Sequence, residues 1–329
     1  MRFCGRVTTQ SLVLQGGGAT PHGKETKDIT CEVDHPRWCV ATPHNSWSTI
    51  PLVNSLHDLH THSTASDGTL RPADLVARAA AVGIKVLALT DHDTLDGLAE
   101  ARTAAMDLGL TLVPGVEISV SWGARTIHVL GLGVDPAAPA LAAGLLRLRD
   151  FRGWRAQEIG RRLAAKGIEG AYAGALALSG DERFVGRTHF ARFLVRRGYA
   201  PTVRDVFKHY LVQGKPGHVS GDWASLEEAL GWILAAGGQA VIAHPARYGF
   251  TGFKMRKLIG EFRELGGVAL EVVSGSHSRD EACVFAQRAQ EHGLLASAGS
   301  DYHGPEHPYL ELGRLPKLPA SCIPIWADW

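Results

Sequence analysis

Short clusters of histidine and carboxylate side chains recur along this chain, and each cluster follows a run of apolar residues. They lie at Asp58-Leu59-His60-Thr61-His62, at Thr90-Asp91-His92-Asp93 and at Ser300-Asp301-Tyr302-His303. In barrels built from alternating strands and helices, the carboxyl ends of the strands form one rim where functional side chains gather. The pattern therefore favours a fold that brings these separated clusters together.

The segments between the clusters alternate between strand-like and helix-like patterns. Seven short apolar runs are predicted strands: Leu56–His60, Ile84–Leu89, Leu110–Val116, Ile127–Leu132, Gln239–Ala243, Val268–Val273 and Leu294–Ala298. Five segments between them are predicted helices: Arg71–Val82, Gly97–Leu108, Leu226–Ala236, Met255–Leu265 and Asp280–His292. Such alternation is typical of a parallel α/β arrangement. Because seven strands are enough to close a sheet, we expect an α/β barrel.

The alternation breaks over residues 137–222, which we predict to be mostly helical. Within residues 147–215, fifteen Lys and Arg stand against six Asp and Glu, although the whole chain has a net charge of only +1. We interpret residues 137–222 as a basic insertion that acts as a lid over an anionic substrate. Residues 55–136 and 223–329 would form the barrel, and residues 1–54 a poorly ordered extension.

Composition narrows the class of protein further. No run of eighteen or more apolar residues and no secretory signal pattern are present, so we expect no membrane association. Five cysteines are few and odd in number, which argues against a disulfide framework and fits the cytoplasm. Cys31, His35, Cys39 and His44 match no common zinc-finger spacing, so we expect no zinc site there. Nothing in the sequence indicates an obligate protein partner.

Imidazole and carboxylate without thiolate form the ligand set of a hydrolytic metal centre. Nine candidate ligands share this chemistry: His60, His62, Asp67, His92, Glu117, His128, His244, Asp301 and His303. Nine ligands are too many for one ion. We therefore expect two or three divalent cations in one cleft.

Local spacing supports several of these candidates. His60 and His62 stand two residues apart on an extended segment, so their side chains face the same way. Glu117 follows Pro114-Gly115, which we expect to end the strand and place the carboxylate at the barrel mouth. His128 is the one candidate that we predict to lie inside a strand.

Three aspartates near the clusters have competing interpretations. Asp67 lies in Ser66-Asp67-Gly68, where the role of a turn residue is as good an interpretation as that of a ligand. Asp91 and Asp93 flank His92. We interpret both as partners that orient imidazoles or as helix caps, and not as ligands.

Taken together, these motifs resemble those of the PHP superfamily of metal-dependent phosphoesterases, from about residue 56 to the C-terminus. The resemblance implies a distorted seven-stranded barrel with up to three ions, most often Mn²⁺, with Zn²⁺, Fe²⁺ or Mg²⁺ as alternatives. It also implies how the ligands are shared. One ion would use His60, His62, Glu117 and Asp301; a second would use Glu117, His128 and His244; a third would use Asp67, His92 and His303.

Within that superfamily, the stretches Val185–Arg192 and Gly214-Lys215-Pro216-Gly217 are similar to the subgroup that acts on nucleoside 3′,5′-bisphosphates, which also includes a 5′→3′ exoribonuclease. We expect Arg187 to hold a phosphate bidentately. His189 could donate to the phosphate or the leaving oxygen, or could be a helix-face residue. Lys215 is a further candidate phosphate contact. Asp67, His92 and His303 are expected to act with these residues in catalysis.

The sequence thus predicts a phosphoesterase that removes the 3′-phosphate of nucleoside 3′,5′-bisphosphates by attack of metal-activated water. A 5′→3′ exoribonuclease that uses the same site on short RNA is the main alternative. A histidinol-phosphate-type phosphatase or a non-catalytic nucleic-acid-binding module are further alternatives. The first would not need so basic a lid, and the second does not explain so many ligands, because structural metal sites are usually closed and single.

Overall fold

Seven strands form one sheet in which each strand pairs with the next along the chain. The computed structural model describes residues 56–306 and 310–329, so residues 1–54 and the zinc pattern considered there lie outside the described residues. The strands are β1 (His57–Asp58), β2 (Val86–Leu89), β3 (Thr111–Trp122), β4 (Arg125–Leu132), β5 (Gln239–Ile242), β6 (Ala269–Ser274) and β7 (Leu295–Gly299).

The sheet curls until its two edges meet. The backbone N–H of Leu59, just beyond β1, donates to the carbonyl of Ala298 in β7 at 2.9 Å. The N–H of Asp301 donates to the carbonyl of His60 at the same distance, so the loops after the two strands continue the seam. The predicted distorted seven-stranded α/β barrel is confirmed.

Helices cover the outside of the barrel and fill the segment between β4 and β5. In the described residues they are α1 (Pro72–Ala81), α2 (Leu98–Leu108), α3 (Pro139–Ala164), α4 (Ala171–Ser179), α5 (Arg187–Arg196), α6 (Val203–Val206), α7 (Leu226–Ala235), α8 (Gly252–Glu264) and α9 (Arg279–Glu291). Their starts follow ordinary capping chemistry. Ser225 accepts from the N–H of Glu228 while the Glu228 carboxylate accepts from the N–H of Ser225, and Ser278 and Glu281 repeat this reciprocal pair.

One strand is longer than the sequence analysis predicts. We expected Pro114-Gly115 to end it, but β3 continues to Trp122, and Glu117 lies in its interior. The register gives the reason. Up to Pro114 the strand pairs in parallel with β2, and from Gly115 onward it pairs with β4 instead. Proline, which lacks an N–H donor, thus stands where the strand changes partners, and the strand does not stop there.

The parallel arrangement that the alternation predicts does not extend to β4. β4 runs antiparallel to both of its neighbours, and the other strand pairs are parallel. The reason is the short connection Gly123-Ala124, where both residues have positive φ, 53° and 61°. A two-residue turn of this kind joins antiparallel strands and leaves no room for a crossover helix.

Two hydrophobic cores meet along α3. Its first half packs against the barrel through Leu141, Leu145 and Leu148. Its second half, which includes Leu163, belongs to a separate core that α4 and α5 complete, with the fully buried Phe190 among its members. The helices that follow β4 therefore have an apolar interior of their own.

Gly299, the last residue of β7, lets two buried polar side chains approach the barrel seam. A methyl group added there would lie 2.2 Å from the Cβ of His60 and 2.7 Å from Oε1 of Glu271. We expect Gly299→Ala to lower the free energy of unfolding by about 3 kcal/mol, because overpacking a rigid interior forces backbone shifts. Urea denaturation measures the change.

Gly260 offers a matched control for that substitution. It lies inside α8, and a methyl group added there meets no atom within 4 Å. Gly260→Ala should raise the free energy of unfolding by about 0.5–1 kcal/mol, since alanine loses less backbone entropy in a helix. Equal effects of the two substitutions would contradict the proposed crowding at Gly299.

Candidate metal centre

The loop after β1 places two imidazoles on the same side of the chain, as their spacing predicts. His60 and His62 are fully buried, and their Nε2 atoms lie 3.1 Å apart. Thr61 between them is held in place because its hydroxyl donates to the carbonyl of Ala88 at 2.7 Å and its backbone bridges to Tyr302. The extended loop thus turns both rings to the rim of the barrel.

Glu117 lies at the centre of the cluster and is fully buried. Five imidazoles surround its two carboxylate oxygens: His128 (2.8 Å), His92 (2.9 Å), His244 (3.0 Å), His60 (3.3 Å) and His62 (3.3 Å). Oε1 faces His128 and His244, and Oε2 faces the other three. One carboxylate therefore connects ligands from both sides of the cleft.

All nine candidate ligands come together at this rim. Three groups within them have atoms close enough to share an ion: His60, His62, Glu117 and Asp301; His62, Asp67, His92 and His303; and His92, Glu117 and His128. In addition, Nε2 of His244 lies 3.3 Å from Nδ1 of His128 and 3.0 Å from Oε1 of Glu117. The first group is the one that the family resemblance implies, whereas His62 joins the second group and His92 stands in place of His244 in the third. The assignment of each residue as a ligand remains a prediction.

The donor atoms of the cluster fit divalent cations. Several are buried and have no hydrogen-bond partner: Nδ1 of His62, Oδ1 of Asp67, Nδ1 of His92, Oε2 of Glu117 and Nδ1 of His244. Buried polar atoms in proteins are nearly always satisfied, and two pairs of imidazole nitrogens in the cluster lie only 3.1 Å and 3.3 Å apart. Because divalent cations would satisfy these closely grouped donor atoms, the cluster is a divalent-metal site.

The cluster concentrates negative charge. Burial opposes the ionisation of Asp301, but the charges of His60 and His303 prevail and hold its pKa well below the usual range. Burial likewise opposes the protonation of His62, yet its contacts with the carboxylates of Asp301 and Glu117 raise its pKa to about 10. The carboxylates thus stay ionised and attract positive charge. A cation bound at this position would displace the proton of His62, so we expect metal affinity to rise with pH.

The sequence pattern does not single out one buried carboxylate beside the cluster. Glu271 in β6 lies 3.1 Å from Nδ1 of His60, on the side of the ring away from the cluster, and it also accepts from the backbone N–H of His244. The signal was a single charged residue in the otherwise uncharged run Val268–Val273. We did not predict any role for it.

The role that we predicted for Asp91 and Asp93 is wrong, because neither contacts an imidazole or caps a helix among the described residues. Asp91 accepts from the N–H and hydroxyl of Ser63, both at 2.7 Å, and from the hydroxyl of Ser66 at 2.6 Å. It tethers the loop that carries Asp67. Asp93 accepts from the N–H and hydroxyl of Ser119 and pairs with Arg152. Both aspartates therefore shape the loops that carry ligands.

A cleft opens above the cluster, and arginine side chains from several elements line it. Five candidate ligands reach the cleft: Asp67, His92, His128, Asp301 and His303. Facing them are Arg152, Arg155, Arg187 and Arg247, together with Phe207 and Trp223. The other four candidate ligands lie beneath this layer. The cleft is therefore carboxylate-rich at its floor and strongly basic on its walls.

The four arginines are not equivalent. Arg152 pairs with Asp93, and Arg247 contacts Oδ2 of Asp301 at 2.5 Å, whereas no described carboxylate lies within ion-pair distance of Arg155 or Arg187. Enclosure in the cleft, and then the charges of Arg152 and Arg247, lower the pKa of Arg187 to about 10. Arg187 remains positively charged at neutral pH, and an anion would stabilise it.

Two other predicted substrate contacts lie elsewhere. His189 is buried, and its Nδ1 accepts from the N–H of Gly186 at 3.0 Å, at the start of α5. Burial lowers the pKa of His189 to about 4, so its ring is neutral. Lys215 is exposed in a turn. Neither residue is among those that line the cleft, and a direct contact of either with substrate stays a prediction.

Comparison with known proteins agrees with this site. Residues 58–211 match the model of the PHP domain. A 3′,5′-nucleoside bisphosphate phosphatase from Chromobacterium violaceum is 51% identical over 82% of this chain and 95% of its own length. The chain belongs to the PHP family. As a PHP-family protein it is an enzyme that hydrolyses phosphoric esters, which confirms the prediction and sets aside the non-catalytic nucleic-acid-binding module.

Other PHP-family comparisons extend the similarity. A 5′-3′ exoribonuclease from Haemophilus influenzae is 46% identical over 82% of this chain and 97% of its own length. The solved structure of a C. violaceum protein, described as an amidohydrolase with bound sulfate and no metal, has a TM-score of 0.80. It is 50% identical and covers 83% of this chain and 95% of its own. The barrel and the helices after β4 are thus common to this PHP enzyme and its relatives.

Among the described residues, no helix combines the length and the hydropathy that a membrane span requires.

Proposed function

We propose that this PHP enzyme hydrolyses the 3′-phosphate of nucleoside 3′,5′-bisphosphates. The observation that carries the proposal is the pair Arg155 and Arg187, which face the metal cluster across the cleft without carboxylate partners. A substrate with one phosphate at the metals leaves these charges unmatched. A substrate with two phosphates matches both sets of positive charge, and the 51% identical bisphosphate phosphatase supports this choice.

In this proposal, the candidate ligands at the floor of the cleft carry out the hydrolytic step. When bound, the divalent ions would activate a water molecule and neutralise charge on the scissile phosphate. Asp67, His92 and His303 would hold ions on the side that faces substrate, since all three line the cleft. His60 and His62 would hold an ion from below. Mn²⁺ is our proposal for the metal, and two or three ions are our proposal for the number.

In this proposal, the first turn of α5 binds a phosphate of the substrate. Gly186, Arg187 and Thr188 line the cleft, and the N–H groups of a first helical turn have no partners within the helix. A phosphate is stabilised at such a terminus by these donors and by the helix dipole. His189 keeps this terminus in place because its ring accepts from the Gly186 N–H. We therefore place one phosphate between Arg187 and this turn.

The rates of hydrolysis of three compounds distinguish this proposal from a general phosphatase: adenosine 3′,5′-bisphosphate, 3′-AMP and 5′-AMP. With Mn²⁺ present, kcat/KM for the bisphosphate should exceed that for 3′-AMP by about 100-fold, since a pair of charge-assisted hydrogen bonds stabilises by about 3 kcal/mol. Phosphate release measures the rate, and 5′-AMP is the expected product. Equal rates with the bisphosphate and 3′-AMP would overturn the proposal.

A 5′→3′ exoribonuclease is the second candidate, and the 46% identical relative favours it. The same metals would cleave the bond after a terminal nucleotide whose 5′-phosphate binds the arginines. Short 5′-phosphorylated RNA tests this candidate. If RNA oligomers were degraded and the bisphosphate were untouched, the exoribonuclease would replace the first proposal.

We also propose that the enzyme acts in the cytoplasm and needs no protein partner for activity. The small and odd number of cysteines supports the location, because reducing compartments rarely select disulfide frameworks. Residues 137–222 remain our proposal for the lid, since Arg152, Arg155 and Arg187 all come from this segment.

A further inference from the structure

Glu271 is a fully buried carboxylate with unusual partners. It stands in β6, where every residue is buried. A buried carboxylate is costly unless it is paired and hydrogen-bonded, yet no described Lys or Arg lies within ion-pair distance of Glu271. Its partners are the imidazole of His60 and the backbone N–H of His244. The presence of a carboxylate at this buried position is therefore not explained by the stability of the fold.

The contact with His60 fixes the chemistry of that ring. Oε1 and Oε2 of Glu271 lie 3.1 Å and 3.3 Å from Nδ1 of His60. With both carboxylate oxygens beside it, Nδ1 is the ring nitrogen that donates a hydrogen bond. This leaves Nε2, which faces Glu117 and Asp301, as the nitrogen whose lone pair can bind an ion. Glu271 thus selects the tautomer that can bind an ion.

The contact with His244 acts on the backbone. Oε2 of Glu271 accepts from the His244 N–H at 2.5 Å. His244 has φ +28°, a conformation that side-chain-bearing residues rarely adopt, and surrounding contacts must hold it. Its Nε2 lies 3.0 Å from Oε1 of Glu117. The same carboxylate thus sets the position of a second candidate ligand.

These two ligands belong to different groups around Glu117. His60 stands with His62 and Asp301 on the Oε2 side, and His244 stands with His128 on the Oε1 side. We propose that Glu271 is a positioning residue that couples two metal positions by fixing the His60 tautomer and the His244 backbone together. The inference rests on the proposed metal centre and adds to it a residue that touches neither ion nor substrate.

Glu271→Gln tests the coupling with little change of shape. The amide has one acceptor oxygen and presents an NH₂ donor to the second partner, which is also a donor. Titration of metal-free protein with Mn²⁺, followed calorimetrically, should show affinity lowered by about 10- to 100-fold at two sites. A site formed by His62, Asp67, His92 and His303 should keep its affinity. Elemental analysis after gel filtration should count fewer bound ions.

Glu261→Gln is the matched control. Glu261 accepts from the indole N–H of Trp122 at 2.6 Å, which a glutamine oxygen can also do, and it touches no candidate ligand. This control should bind Mn²⁺ as the wild type does. The visible spectrum of Co²⁺-loaded protein gives a second readout, because the ligand field changes only if a metal position changes.

The melting temperatures of the metal-free proteins distinguish a positioning role of Glu271 from a role in stabilising the fold alone. If Glu271→Gln melted at a lower temperature but bound Mn²⁺ with wild-type affinity and number, the proposal would be overturned. If that variant failed to fold, Glu271→Asp, which keeps the charge and shortens the reach, would take its place, with the same weakening at two sites expected. A wild-type protein that bound no divalent cation would refute the metal centre itself.

Discussion

Replacing Glu117 by glutamine is expected to lower kcat/KM for adenosine 3′,5′-bisphosphate by more than about 1,000-fold. The glutamine keeps the shape but loses the charge that faces His92, His128 and the imidazoles below them. A bound ion contributes several kcal/mol to stabilising transition-state charge, and each 1.4 kcal/mol is a factor of ten. The loss should be in kcat, measured by phosphate release under saturating Mn²⁺, and bound metal should fall in parallel.

Two further variants show whether the loss of activity is due to the metal cluster. Asp301→Ala, which removes a carboxylate 3.2 Å from Nε2 of His62, should abolish turnover as well while the protein stays folded by circular dichroism. The Glu261→Gln control should retain wild-type turnover. A folded Glu117→Gln enzyme with more than a tenth of wild-type activity would mean that this carboxylate is not the centre of the site.

Replacing Arg187 by alanine is expected to act on substrate binding more than on the hydrolytic step. We expect KM for adenosine 3′,5′-bisphosphate to rise by about 100-fold, because a bidentate charged pair stabilises the bound phosphate by about 3 kcal/mol. The fall in kcat should stay below about tenfold. Arg187→Lys should recover only part of the loss, since an ammonium group lacks the planar fork of the guanidinium.

Arg196→Ala is the matched control, at the exposed end of the same helix. It removes an equal charge and should leave KM within about threefold of the wild type. If Arg187→Ala also stayed within threefold, the phosphate would not be bound at the start of α5. A fall in kcat with unchanged KM would assign Arg187 to the hydrolytic step instead.

The barrel and the gathering of the candidate ligands at its rim were predictable from the sequence because both depend on local patterns. Apolar runs ended by polar clusters marked the strands, and the two-residue spacing of His60 and His62 gave their common direction. The length of β3 was not predictable in this way. Pro114 and Gly115 are usual signals of a strand end, and only pairing with β4, a tertiary contact, overrides them.

The residues that support the site were harder to find for a similar reason. Asp91 and Asp93 adjoin His92 in sequence, but their side chains turn to the serines of neighbouring loops. Glu271 is 211 residues from His60 along the chain, and only closure of the barrel brings the two together. Sequence spacing identifies groups that share a strand end and carries no information on contacts across the seam.

The division of α3 between two hydrophobic cores bears on how such an enzyme can diversify. The residues that would hold the metals stand on the barrel, whereas Arg155 and Arg187 stand on helices that meet a separate interior around Phe190 and Leu163. Mutations that rebuild this second interior can redirect the arginines toward other phosphorylated compounds without repacking the strands. New specificities can therefore evolve while the hydrolytic apparatus is inherited unchanged.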